Sequence, residues 1–298
     1  MSRQVQGYLY LALAMLTVGS TVIASKLIAS GLPPFSATAL RFAIAFPVLL
    51  LLMWATGARL PRFSRHDRLI LIIQAGAGSV GYTTLLISGL SLTSAADAGV
   101  IIGTLPVVSA AISVLLLRER PQRALLLTVA LATSGVLSIA FTPDAAGGSL
   151  SGNALIFLAV VCEGLFILLN KKLKTEIAPL ALSTLMAGIG FIVAAIPAIF
   201  EAPFAHDMSA SAVAAIVYYA LVPTVGGFLL WYAGAERVSG TEAALFTAVA
   251  PVSAVMLAFI ILGEPVGLSQ IAGIACVLAA VLGLAFAGSR TVKLAGGR

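Results

Sequence analysis

Residues 95–121 read AADAGVIIGTLPVVSAAISVLLLRERP, and residues 240–265 repeat much of this pattern as GTEAALFTAVAPVSAVMLAFIILGEP. Each stretch is an apolar run that opens near an acidic residue, carries one proline near its middle, and ends at a glutamate with a proline close behind. Matching positions lie 145 residues apart, so that Pro106 corresponds to Pro251 and Glu119 to Glu264. A fixed spacing of this kind indicates an internal repeat.

The same register extends over the rest of the chain without a gap. Other landmarks that coincide in it are Gly19 with Gly164, Lys26 with Lys171, Pro34 with Pro179, Phe46 with Phe191, Gly81 with Gly226 and Gly89 with Gly234. Each copy holds five long apolar segments, and an odd number of crossings makes the second copy enter the membrane from the opposite side. We therefore predict an all-α polytopic membrane protein with ten transmembrane helices, arranged as two inverted five-helix repeats over residues 7–142 and 151–288. This plan is common among secondary transporters.

The composition supports a membrane protein, because 60% of the residues are hydrophobic and only 9% are charged, against about 25% charged residues in soluble domains. Each apolar segment has roughly the 20 residues that a helix needs to cross the hydrocarbon layer. The predicted segments lie near 7–29, 34–56, 68–90, 96–117, 123–142, 151–171, 179–200, 211–233, 241–263 and 267–288.

The distribution of basic residues predicts the orientation. With the N-terminus inside, fifteen of the 17 Lys and Arg residues fall on the inner side, as the positive-inside rule requires. We expect a bacterial-type cytoplasmic (inner) membrane, with both termini in the cytoplasm. Orientation also explains the net charge of +6, so no nucleic-acid partner is predicted. Trp54 and Trp231 fall toward the inner interface and are interpreted as anchors.

Enzymatic motifs are absent from the sequence, which contains no HExxH, GxSxG, P-loop or CxxC pattern. The two histidines, His66 and His206, lie in predicted loops without a metal-ligand partner at useful spacing. We therefore predict no catalytic residue, no metal and no cofactor.

Glu163 is the one carboxylate near the middle of an apolar segment. A charge at the bilayer centre costs about 2.5–3.5 kcal/mol even on the lenient insertion scale, so such residues face a bundle interior or a wet cavity. Helical spacing puts Phe166 and Asn170 on the same face. We predict that this face binds substrate; the alternative is a protonated Glu163 that only donates a hydrogen bond between helices.

Further polar and aromatic residues collect near the middle of the first, third and eighth segments, where small residues thin the third and eighth helices. Such a mixture suits a cavity for a partly apolar solute, although a Ser or Thr in a helix often bonds back to its own backbone. The candidates for lining such a cavity are Thr17, Ser20, Thr21, Gln74, Ser79, Tyr82 and Thr224.

Pro106 and Pro251 fall at the middle of the fourth and ninth segments. A proline removes one helical hydrogen bond and clashes with the preceding turn, so two prolines at one repeat position predict kinks that shape a cavity or act as hinges. A static packing kink is the alternative. Asp97 opens the fourth segment in a Ser94-x-x-Asp97 capping box, and Arg41 is expected to reach toward the outer surface, within range of Asp97.

On the repeat and on the two quoted stretches, the chain resembles the ten-helix EamA-type exporters of the drug/metabolite transporter superfamily over nearly its whole length. The resemblance implies two inverted five-helix repeats around a central cavity lined by helices one, three, four, six, eight and nine, with cytoplasmic termini. It also implies export of amino acids, other small metabolites or drugs. Within the family the chain is most similar to the aromatic amino acid exporters.

We accordingly predict a carrier that moves small amphipathic solutes, such as aromatic and other neutral amino acids, out of the cytoplasm by alternating access. Its predicted partners are this small-molecule substrate and membrane lipids, and a monomer is expected, with a homodimer as the alternative. The competing interpretations are a multidrug or purine exporter, a facilitative channel, a membrane enzyme and an assembly scaffold.

Overall fold

The computed structural model describes residues 2–117, 127, 130–135, 149–201, 209–238, 246–247 and 249–295. Most of the predicted fifth segment and the first residues of the ninth lie outside these ranges. So do Glu119, Asp144 and His206.

The described chain is helical throughout and contains no β-strand within these ranges. Its α-helices are α1 (Arg3–Ala29), α2 (Pro34–Ala55), α3 (Arg65–Gln74), α4 (Tyr82–Leu90), α5 (Ala95–Ile102), α6 (Leu105–Leu117), α7 (Leu150–Lys171), α8 (Pro179–Ala198), α9 (Ala210–Tyr219), α10 (Gly227–Ala235), α11 (Val249–Leu262) and α12 (Leu268–Ala295). A short 3₁₀ turn, Ile199–Glu201, follows α8.

Six helical spans are long and apolar enough to cross a membrane: Arg3–Ala29, Pro34–Ala55, Arg65–Leu90, Leu150–Asn170, Pro179–Glu201 and Ala210–Ala235. A seventh candidate is the pair α5 and α6, which meet at an angle of 41°. Shorter apolar helices cover Val249–Leu262 and Leu268–Ala280. The all-α, multi-pass membrane architecture is confirmed, whereas the exact number of ten crossings and the inverted arrangement stay predictions.

Helix starts follow the capping chemistry of the sequence. The hydroxyl oxygens of five serines accept a bond from the amide three residues on, at Ser2, Ser64, Ser94, Ser149 and Ser209. This bond satisfies one of the free amides of a first helical turn. α2 and α8 begin instead with a proline, which needs no amide partner at the first helical position.

One end of the bundle, here called the Lys26 end, is closed by polar contacts between helix termini. Lys26 Nζ donates to the carbonyl oxygens of Leu90 at 2.8 Å and Thr93 at 2.6 Å. The Glu201 carboxylate accepts from the first amides of α2, and the Glu264 carboxylate from the first amides of α5. Since acceptors are favourable at helix N-termini, these contacts fix the ends of α1, α2, α4 and α5.

At the opposite end, here called the Asp67 end, the described residues form fewer such bonds. Asp67 at the start of α3 accepts from Lys174 N at 3.1 Å and from Thr175 Oγ1 at 2.7 Å. These two donors lie in the loop between α7 and α8. Consecutive spans therefore run alternately from one end to the other.

Two spans contain a π-helical segment in the middle, at Ala75–Gly81 and Ala220–Gly226. The segments lie 145 residues apart and correspond exactly in the repeat register. π-Helical turns inside α-helices are rare and often occur at functional sites. They separate α3 from α4 and α9 from α10.

Candidate functional site

A cavity of about 640 Å³ lies between the helices of the bundle, within the range of roughly 300–1,000 Å³ that is usual for small-molecule sites. Its walls come from α1, α2, the two π-helical segments, α4 to α11 and the break between α5 and α6. The resemblance implied six lining helices. The structure adds the second and seventh predicted segments, which contribute Arg41, Phe42, Ser183, Met186 and Ala187.

Eight of the predicted site residues line this cavity. They are Thr21, Ser79, Tyr82, Pro106, Glu163, Phe166, Thr224 and Pro251. The helices bring them together from six separate parts of the chain, which is the juxtaposition that a binding site requires. Their role in binding stays a prediction.

Three predicted residues do not line the cavity, and their side chains form hydrogen bonds within or between helices. Thr17 Oγ1 donates to the carbonyl of its own helix at Ala14, and Ser20 Oγ accepts from Tyr218 Oη at 2.7 Å. Gln74 is completely buried, and its Nε2 donates to the carbonyl oxygen of Phe166 at 3.1 Å. Ser20 and Gln74 thus hold spans to one another, whereas Thr17 bonds within its own helix.

Asn170 is the fourth predicted residue that does not line the cavity. It is exposed near the C-terminal end of α7. It shares the helical face of Glu163 but lies seven residues away, about 10 Å along the axis at 1.5 Å per residue. Helical periodicity predicts which residues share a face, but it contains no information on how far the cavity extends along that face.

Glu163 projects from α7 into the cavity, and the exposed part of its half-buried side chain faces that space. Tyr82 and Arg41 lie within electrostatic range of its carboxylate across the cavity. Phe166, one turn further along α7, packs where Gly78 leaves room, since a Cβ atom on Gly78 would lie 2.3 Å from the Phe166 side chain. The π-helical glycine thus lets α7 approach closely.

Arg41 is the main cavity residue that sequence reasoning missed. It is only 7% exposed, and its guanidinium lies 4.2 Å from the ring centre of Phe42 and 4.5 Å from that of Tyr219. The expected pairing with Asp97 is wrong, because Asp97 accepts from Gln270 Nε2 at 2.8 Å. The signal in the sequence was an arginine well inside an apolar segment.

Pro106 and Pro251 line the cavity, and each lies within the first three residues of a described helix. Pro106 is the second residue of α6, directly after the break at Gly103 and Thr104, and Pro251 is the third residue of α11. A proline in the first turn removes no helical bond, because those amides have no partner within the helix. The predicted bend is present near Pro106, but it arises because one helix ends at Ile102 and the next begins at Leu105.

Aromatic side chains form much of the remaining wall, among them Phe228 and Trp231 of α10. Trp231, interpreted from its sequence position as an interfacial anchor, borders the cavity and packs beside Met15 and Ala250. Trp54, in contrast, is 83% exposed, as an anchor would be. Among the described residues, no group of His, Cys, Asp or Glu side chains is arranged to hold a metal ion.

Comparison with known proteins gives a consistent result. Residues 5–141 and 150–286 each match the EamA-like transporter family. A Bacillus subtilis (strain 168) protein named "Uncharacterized transporter YetK" is 36% identical over 286 residues, covering 94% of this chain and 86% of that protein.

A second relative, named "Probable terminal-alkyne amino-acid exporter", comes from Streptantibioticus cattleyicolor. It is 27% identical over 255 residues, covering 84% of each chain. A solved crystal structure with 21% identity matches this fold with a TM-score of 0.63 over 97% of this chain and 98% of the other. At that identity the likeness concerns the fold alone.

Proposed function

Since the chain belongs to the EamA-like transporter family, we propose that it is a secondary transporter that exports small amphipathic metabolites, chiefly amino acids, by alternating access. It is a multi-pass membrane protein of a bacterial transporter family, and its activity is transport and not enzymatic catalysis. The two units over residues 7–142 and 151–288 act in this proposal as inverted repeats that move against each other.

The observation that carries the proposal is the combination of Glu163 with an otherwise largely apolar and aromatic cavity. A wall of Phe, Tyr and Trp side chains favours apolar parts of a solute, while few polar groups fix its orientation. Aromatic and other neutral amino acids have both characters. The amino-acid exporter among the relatives supports this class, and a multidrug or purine exporter is the alternative.

The position of the cavity supports a carrier in one of its two states. Ser183 in α8 and Trp231 in the span Ala210–Ala235 line the cavity, and each lies in the half of its span nearest the Asp67 end. The Lys26 end is closed by the carboxylate and lysine contacts described above. Alternation between two such states is how inverted-repeat transporters work, whereas a facilitative channel would need a path open at both ends.

The orientation follows from charge. Arg65, Arg68, Lys172, Lys174 and Arg237 all lie at the Asp67 end, which the positive-inside rule assigns to the cytoplasm. In this proposal the protein lies in the cytoplasmic membrane with both termini in the cytoplasm, and it acts as a monomer. The structure then corresponds to the inward-facing state of the carrier.

Countertransport in liposomes tests the proposal directly. Vesicles loaded with unlabelled neutral amino acid should accumulate the labelled amino acid from outside, because a carrier exchanges solute faster than it returns empty. A panel that includes purines and organic cations separates the substrate classes. Uptake that is not stimulated by internal solute would contradict a carrier, and no uptake of any panel member would contradict the substrate class.

We propose that the helix starts at Pro106 and Pro251 act as hinges during alternating access. Replacing Pro106 and Pro251 together by alanine removes the penalty of ~3 kcal/mol or more that disfavours a continuous helix at each site. We expect the thermal stability to hold or rise while the rate of exchange falls. Pro47→Ala is the matched control, because Pro47 lies inside α2 and does not border the cavity. Undiminished exchange by the double variant would reduce both prolines to packing features.

A further inference from the structure

Arg41 is a buried cation at the wall of the cavity whose charge is incompletely compensated by the protein. Its Nε has no hydrogen-bond partner, and among the described residues no carboxylate lies within ion-pair distance of it. An arginine side chain does not deprotonate in proteins, so the charge persists. Burial of such a charge without a partner is costly, and this arrangement indicates that a partner arrives from outside the protein.

The aromatic rings beside Arg41 hold it in place without neutralising it. Phe42 and Tyr219 stack on the guanidinium at 4.2 and 4.5 Å. Stacking restrains the plane of the guanidinium, and this rigid fork matches the two oxygens of a carboxylate. The same contact offers no anion, so the stacked cation keeps its full charge for a solute in the cavity.

We propose that Arg41 receives the carboxylate of the transported solute, and that Arg41 and Glu163 together select solutes carrying one anionic and one cationic group. The inference rests on the proposed transport function and specifies its substrate class. Arg41 and Glu163 interact across the cavity without forming an ion pair, which leaves each of them available to a solute group.

The charge balance of the wall favours a zwitterion over other anions. Arg41 is the one basic residue and Glu163 the one acidic residue among the described lining residues. A solute with one carboxylate and one ammonium therefore leaves the occupied cavity neutral. A phosphate group with two negative charges would meet a single arginine and a repelling carboxylate, so phosphorylated metabolites are disfavoured.

The test compares an amino acid with the amine that lacks its carboxylate, in liposomes containing the full chain. Wild-type protein should prefer the amino acid by about 10- to 100-fold, the effect expected when one hydrogen bond to a charged group is lost. Arg41→Gln should abolish this preference by lowering exchange of the amino acid to the level of the amine. Arg68→Gln is the matched control, since it makes the same chemical change at an exposed arginine outside the cavity.

The outcomes separate this inference from the proposed function. An unchanged preference in folded Arg41→Gln protein overturns the role of Arg41, whereas exchange of neither compound by wild-type protein contradicts the transport proposal itself. If Arg41→Gln does not fold, the wild-type protein is assayed with the methyl ester of the same amino acid. We expect at least a tenfold loss, and equal exchange of ester and free acid overturns the inference.

Discussion

Gly19→Ala is expected to destabilise the protein by about 1–3 kcal/mol, the range for overfilling a packed core. A Cβ atom at Gly19 would lie 1.8 Å from Ser253 Oγ, 2.7 Å from the carbonyl oxygen of Ala250 and 2.9 Å from Ala254 N. Two of these atoms belong to the backbone of α11, so a change of side-chain rotamer cannot make room. The backbones of α1 and α11 would therefore have to shift apart around this contact.

Two other glycines provide graded controls for this prediction. Gly164 occupies the same repeat position, but there a Cβ would meet Ile112 Cδ1 at 3.0 Å and Ser109 Oγ at 3.4 Å, which a side chain can relieve. A Cβ on Gly76 meets nothing within 4 Å. Thermal unfolding in detergent should therefore rank Gly19→Ala as most damaging, Gly164→Ala as intermediate and Gly76→Ala as close to wild type. Equal losses of thermal stability in all three variants would show that close contact between helices does not determine the cost of the added methyl group.

The sequence was sufficient to predict most of the helical spans and some of the residues at which helices begin. The apolar segments predicted the spans, and the capping box at Ser94 predicted the first turn of α5, because such signals depend on residues close together in the chain. The π-helical segments were not predicted. Glycines at 76, 78 and 81 predict only a thin helix, and the close approach of Phe166 to Gly78 joins residues that are far apart in the chain.

The sequence predicts those site residues whose chemistry is unusual at their position, but not those whose role depends on contacts between distant helices. Glu163 could be identified because a charge in hydrocarbon needs an explanation wherever it lies. The sequence alone favours an outward direction for Arg41, since a long arginine side chain in the outer part of a span can extend to water. Its stacking on Tyr219 depends on how α2 and α9 meet, and no local pattern specifies that contact. The composition of the first segment predicts that Thr17 and Ser20 line the cavity. In the structure, Thr17 instead bonds to the carbonyl of Ala14 and Ser20 to Tyr218.

Glu163→Gln should lower the apparent affinity for zwitterionic amino acids by about 10- to 100-fold, because a neutral amide replaces the charged acceptor of the substrate ammonium. Solutes that lack the amino group should lose much less. Glu236→Gln makes the same chemical change at an exposed position outside the cavity and should leave both affinities unchanged. The measurement is half-saturation of exchange in liposomes at several pH values.

The pH series decides between the roles open to Glu163. If the carboxylate contacts the ammonium, the amide variant binds weakly at every pH at which wild-type Glu163 is charged. If it exchanges a proton against substrate, the variant still binds but loses the acceleration that a pH gradient gives to the wild-type protein. If Glu163 only bridges helices, glutamine replaces it and affinity, rate and pH profile all match the wild type. That last result would refute both functional roles, because an amide retains the hydrogen bond and removes only the charge and the proton.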